Sequence, residues 1–102
     1  MQRDMYQQGY SDGFNNSRNP MGAFELSQKY DEYRVGYVMG VCSTIDAPRE
    51  FWAPLAGEQA AELHVPLMLF KGHIDDDIWH LFVEGYTGEE AESEGEDDDE
   101  DY

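Results

Sequence analysis

Gly9-Tyr10-Ser11-Asp12-Gly13 and Gly36-Tyr37-Val38-Met39-Gly40 are two copies of one pattern, Gly-Tyr-x-x-Gly, and they decide the fold. Around the first copy, Tyr6, Tyr10 and Phe14 form one column at four-residue spacing and Met5, Gly9 and Gly13 form the next. That period predicts a helix over 3–16, with an aromatic ridge beside a glycine groove. Glycine costs about 1 kcal/mol against alanine inside a helix, so two of them four residues apart signal a close approach of another backbone. Around the second copy, Phe24, Leu26, Tyr30, Tyr33, Gly36, Tyr37 and Gly40 predict a second helix over 23–41. Ser27 with Asp31 or Glu32 marks a start that can be interrupted. Between them, Asn15–Gly22 reads as a turn, punctuated by Pro20 and Gly22. The expected arrangement is two antiparallel helices with small residues facing, an N-terminal helical hairpin over 3–42.

These residues carry a resemblance. Gly9-Tyr10-x-x-Gly13, then Asn19-Pro20, then Gly36-Tyr37-x-x-Gly40 resembles the pattern of the ribosome modulation factor family and related small phage and plasmid proteins. The resemblance covers 3–42 and implies a helical hairpin that associates with ribosomes or RNA. If it holds, Arg3, Arg18, Lys29 and Arg34, the bases nearest the tyrosines, would contact RNA. The family's factor is basic, whereas this hairpin is near neutral, with five acids and four bases over 1–42.

The second half is more acidic. Residues 43–86 hold eight acids and two bases. Pro48 and Pro54 bracket Arg49-Glu50-Phe51-Trp52, which reads as one helical turn. Gly57–Leu63 favours helix by propensity. His64–Phe70 is an apolar run in which Pro66 argues against a central strand, leaving a helix restarted at the proline or a buried extended piece. Asp75, Asp76 and Asp77 are placed to cap a helix carrying Ile78, Leu81, Phe82 and Gly85, with a strand as the competing reading. The fold class is therefore mainly α, a small helical domain over 1–86 followed by a disordered acidic tail over 87–102.

The tail is the strongest functional signal. It holds ten acids and no base, and it has no large aliphatic residue with which to offset the entropy of ordering. Glu96, Asp97, Asp98, Asp99, Glu100 and Asp101 are consecutive acids, with Glu94 just before them and Tyr102 after. Extended chain advances about 3.4 Å per residue, close to the phosphate spacing along one DNA strand. These eight residues are the candidate partner-binding set, presenting charge at nucleic-acid density to a basic groove. The terminal aromatic is similar to the acidic tails of single-stranded DNA-binding proteins, whose last residues dock on replication partners.

With 23 acids against 6 bases, a net charge of −17 repels phosphate and anionic lipid, so direct nucleic-acid and membrane binding are disfavoured and a basic protein is the expected partner. The lone Cys42 excludes an intrachain disulfide and reads as a buried apolar group. No apolar run approaches a membrane span and the first residues are polar, pointing to a cytoplasmic protein. His64, His73 and His80 match no metal-ligand spacing, and neither a nucleophile elbow nor a phosphate loop is present, so neither a metal, a cofactor nor an enzyme is expected. About 86 foldable residues give only modest stability, to which a homodimer contact would add. The favoured reading is a small acidic, phage-encoded inhibitory protein that engages a nucleic-acid-binding enzyme of a bacterial host by nucleic-acid mimicry. The alternatives are an RNA- or ribosome-associated factor and a single-stranded DNA-binding accessory protein with a docking tail.

Overall fold

The computed structural model describes residues 4–88. They are mainly helical, in the order α1 (Met5–Asn15), α2 (Ala23–Ser27), α3 (Asp31–Cys42), α4 (Arg49–Glu62), a 3-10 turn (Leu67–Phe70) and α5 (Asp76–Thr87). No strand occurs among them; a single isolated bridge joins Lys71 to Ile74.

α1 starts where Asp4 accepts the amide of Gln7, as an N-cap requires. The predicted helix over 23–41 is broken. Gln28 to Tyr30 interrupt it, Ser27 folds its hydroxyl back on the Phe24 carbonyl, and Tyr30 adopts extended backbone as the N-cap of α3. Hydroxyl-to-backbone bonding of this kind competes with helix propagation.

α1 and α3 pair through the two glycine motifs, as the sequence implies, but they run parallel and not antiparallel. A Cβ on Gly36 would strike the Tyr6 carbonyl, and one on Gly40 the Tyr10 carbonyl. Reciprocally, one on Gly9 would strike the Tyr33 carbonyl and one on Gly13 the Tyr37 carbonyl. Four residues forward on one helix is four residues forward on the other, which only a parallel pair gives. The connecting segment 16–30 makes this possible, because its length lets the chain return to the start of α1. Such a crossing brings each glycine Cα–H against a carbonyl oxygen of its neighbour, a weak bond that only a missing side chain permits.

The repeat is longer than the pentapeptide. Tyr6-x-x-Gly9-Tyr10-x-x-Gly13 matches Tyr33-x-x-Gly36-Tyr37-x-x-Gly40 residue for residue, and each glycine meets the tyrosine that the other's equivalent position supplies. The pair therefore has internal two-fold pseudosymmetry about an axis along the helices.

α4 and α5 repeat the plan. A Cβ on Gly57 would strike the Phe82 carbonyl, and one on Gly85 the Pro54 carbonyl. Arg49 at the start of α4 reaches Asp75 and Asp77 at the start of α5, and the Tyr86 hydroxyl near the end of α5 donates to the carbonyl of Val65, just past the end of α4, at 2.7 Å. These helices too run parallel. In each unit, the tyrosine after the second helix's glycine pins the connector that leaves the first helix. Tyr37 does so in the first unit, its hydroxyl oxygen accepting the Met21 amide at 2.9 Å.

α4 starts just after Pro48, its N-cap, and runs through Pro54 to Glu62 as one helix, longer than the single turn expected. Pro54 sits in the second turn of α4, where it cannot donate to the Glu50 carbonyl, and the helix continues through that lost bond. α4 then crosses α3 in the opposite sense. Trp52 Nε1 donates to the Cys42 carbonyl at one end, and an Arg34 guanidinium nitrogen donates to the His64 carbonyl at the other. Under this crossing lies the core: Val35, Tyr37, Val38, Val41 and Cys42 of α3, Ala53, Ala56 and Ala60 of α4, with Leu26, Val65, Phe70, Ile78 and Phe82 closing it. The apolar run at 64–70 is a buried restart: Val65 and Phe70 are fully enclosed and the backbone makes one 3-10 turn after Pro66. α5 is a helix, not a strand, and ends at Gly88 in the left-handed region, φ 78°. Its N-cap Asp75 makes no side-chain capping bond; Asp75 and Asp77 both bind Arg49 instead.

Candidate interaction surface

The eight acidic-tail residues from Glu94 to Tyr102, and Arg3, lie outside the described residues. The remaining candidates fall within them, and the structure does not gather them into one site.

Arg18 and Lys29 are exposed, Lys29 with its ammonium 5.8 Å from the Tyr33 ring centroid. Arg34 is different. Its side chain is only 13% exposed, its guanidinium donates to the His64 carbonyl at 3.0 Å and lies 3.6 Å from Asp31. Its Nε has no hydrogen-bond partner among the described residues. Arg34 thus joins the two helical units and presents little charge to solvent. The other two bases are also engaged. Asp77 above all raises the Arg49 guanidinium over its ordinary value, outweighing an opposing effect of desolvation, and Asp75 adds to it. Lys71 stands 4.7 Å over the Trp79 ring. The described residues contain thirteen acids and five bases; Arg34 is largely buried, Arg49 is paired with Asp75 and Asp77, and Lys71 stands over Trp79, so few free cations interrupt the negative surface.

The aromatic residues divide. Tyr33 and Tyr37 are core, and the Tyr33 hydroxyl donates to the Asp12 carboxylate. Burial first, and that hydrogen bond second, hold the Tyr33 phenol well above its ordinary range. Tyr6 stacks flat on His73, ring centroids 4.9 Å apart, which brings a loop of the second unit over the first. Its phenol is likewise raised, by burial and then by neighbouring Tyr10. Phe14 and Tyr30 are exposed, at 54% and 74%. Tyr10 and Phe14 line an open groove of about 470 Å³ with Gln7, Ser11 and Ser43.

His64 and His80 are exposed, and no group of three or more potential metal ligands occurs among the described residues. Cys42 is fully buried, and burial pushes its thiol up to about 12. No helix among the described residues is long and apolar enough to cross a membrane.

Sequence reasoning missed the Gly57–Gly85 crossing, although a signal was present. Aromatic-x-x-Gly-Tyr occurs three times, as Tyr6–Tyr10, Tyr33–Tyr37 and Phe82–Tyr86. No family model, curated protein or solved structure matches this chain.

Proposed function

We propose that this chain is a non-catalytic binding protein whose negative charge occupies the nucleic-acid-binding surface of a basic partner protein. The observation that carries the reading is the disposition of charge. Ten acids without a base follow Tyr86, and in the folded part Arg34 is largely buried and Arg49 is paired with Asp75 and Asp77, so little free cationic surface opposes a basic partner. The acids supply long-range attraction and orientation, and this contribution falls as the screening length drops from about 10 Å at 0.1 M salt to about 3 Å at 1 M.

The test is capture of bacterial nucleic-acid-binding proteins on immobilised chain, full length and ending at Gly88, at low and high salt, with duplex DNA as competitor. Nucleic-acid mimicry predicts retention at low salt, release at high salt, displacement by DNA, and weaker retention on the shortened chain. Retention that survives 1 M salt and excess DNA would sink it. RNA association, the alternative suggested by the resemblance over 3–42, has lost one of its four bases to an internal role, since Arg34 faces the second helical unit.

A further inference from the structure

The pseudosymmetry of α1 and α3 allows the two helices to be compared face by face. A shift of 27 positions carries Tyr6, Gly9, Tyr10 and Gly13 onto Tyr33, Gly36, Tyr37 and Gly40. The same shift carries Gln7, Tyr10, Ser11 and Phe14 onto Arg34, Tyr37, Val38 and Val41. On α3 that stripe is covered. Val38 is fully buried, Val41 is 6% exposed, and the bonds from Arg34 to His64 and from Trp52 to Cys42 bracket it under α4. The helix α4 presents Ala53, Ala56 and Ala60 inward, all fully buried. On α1 the equivalent stripe is open, and it is the wall of the Tyr10–Phe14 groove.

The correspondence extends to the ends of the helices. The α1 C-cap, Asn16, donates its amide to the Tyr37 hydroxyl at 3.3 Å. Its counterpart, the α3 C-cap Ser43, lies beside Tyr10 in the groove but donates to the Gly40 carbonyl instead. The Tyr10 hydroxyl makes no hydrogen bond to any described residue, whereas that of Tyr37 accepts two. His73 covers the Tyr6 end of the α1 face, and the Tyr10 end is left uncovered.

We infer that the Tyr10–Phe14 groove seats an amphipathic helix of the basic partner, laid across α1 as α4 is laid across α3, with small residues inward and Lys or Arg outward. Its apolar face meets Phe14 and the Tyr10 ring, and a polar group at its edge meets the Tyr10 hydroxyl. Charge complementarity selects this occupant: thirteen acids against five bases in the folded part attract a basic helix and oppose a second copy of the same chain. The inference rests on the proposed function and adds to it a seat that charge alone does not supply.

The probe is a stapled helical peptide with the sequence of residues 49–62 carrying E50K, E58K and E62K, labelled at its N-terminus; the unsubstituted peptide is the charge control. Binding to the full chain is read by fluorescence anisotropy. Phe14→Glu is the deciding variant, because it adds a negative charge while removing the apolar wall. If attraction were only electrostatic it would strengthen binding; if the groove is the seat it weakens binding about ten- to hundredfold, as loss of an interface anchor does. Phe24→Glu adds the same charge at a site 81% exposed on α2 and is expected to leave affinity unchanged or slightly higher. Ser11→Glu, at another exposed groove position, replaces Phe14→Glu if circular dichroism shows that variant unfolded. Equal behaviour of the groove variant and Phe24→Glu overturns the groove while leaving the electrostatic reading standing. Equal binding of the lysine and glutamate peptides overturns the basic partner itself. Self-association of the chain that the groove variant abolishes would assign the groove to a second copy and also overturn the inference.

Discussion

Gly40→Ala is the sharpest test of the parallel helix pair. The added methyl would fall well inside 3.0 Å of the Tyr10 carbonyl oxygen and within 2.9 Å of the Phe14 amide nitrogen, all backbone of α1 and none of it a flexible side-chain tip. Relief therefore requires moving one helix away from the other. Intrinsic helix propensity favours the alanine by about 1 kcal/mol, and overpacking of this kind costs about 1–3 kcal/mol. Separating the helices by even half an ångström to an ångström forfeits a quarter to a half of the dispersion energy of each contact across the interface. The contact along α1 and α3 is continuous, so the losses outweigh the propensity gain and leave a net destabilisation of about 2 kcal/mol. For a domain of this size that is a fall in melting temperature of about 8–16 °C. Thermal and urea unfolding followed by circular dichroism measure it. Gly22→Ala, where nothing lies within 4 Å, is the control and is expected to stay within about 1 kcal/mol of the parent. A Gly40→Ala protein as stable as its parent, or more stable, would mean that α1 and α3 do not meet at this crossing.

Tyr37→Phe leaves the Met21 amide and the Asn16 side-chain amide without their acceptor and is expected to cost about 1–3 kcal/mol in urea unfolding, with loss of order in the segment 16–22 by hydrogen exchange. Because the Tyr33 phenol is raised in the folded state, its contribution to stability is complete below the ordinary tyrosine range near pH 10 and is lost as pH rises through the folded value; absorbance titration at 295 nm should show late-ionising phenols from Tyr33 and Tyr6, and Tyr33→Phe should remove one of them, so an unchanged late-ionising amplitude in that variant would count against the Asp12 contact. Cys42, fully buried and with its thiol raised to about 12, should resist alkylation at pH 8 in the native state and react once urea unfolds the chain; rapid native-state labelling would show that α3 is not enclosed by α4.

The helix pair was legible in the sequence because glycines at four-residue spacing weaken a helix unless a neighbouring backbone packs into the groove they leave. Gly9, Gly13, Gly36 and Gly40 named both partners and the close approach. Their direction was not legible, since a glycine groove accepts a parallel or an antiparallel neighbour, and the deciding fact is the path of the connector. The segment 16–30 could return the chain only once Ser27 and Tyr30 broke the expected long helix. Pro54 misled because proline weakens a helix interior, yet α4 continues through it in its second turn, and the Pro54 carbonyl is what Gly85 approaches. The role of Arg34 was illegible because a base on a helix reads as surface charge until a carbonyl from a distant turn, that of His64 at φ 57°, is placed against it.

The same geometry bears on why a chain so acidic folds at all. The acids of the described residues are spread over helix starts and outer faces, and no buried side chain in the core is charged or polar other than its tyrosines. Three devices limit repulsion where acids do gather. Arg49 bridges Asp75 and Asp77 at the start of α5, Asp31 and Glu32 occupy the first turn of α3, where the helix dipole favours them, and Asp12 takes a proton donor from Tyr33. Only Arg49 brings a cation, and it is paired with two carboxylates; the other two stabilise carboxylates with no cation at all. A structural consequence follows for Arg49→Ala: Asp75 and Asp77 lose their shared counter-ion, and the two helix starts of the second unit repel a step further. Unfolding should then become salt-dependent, with stability recovered as salt rises, whereas a mere loss of packing would be indifferent to salt. A salt-insensitive Arg49→Ala would show that screening by solvent already suffices and that the clamp sets only the register of α4 against α5.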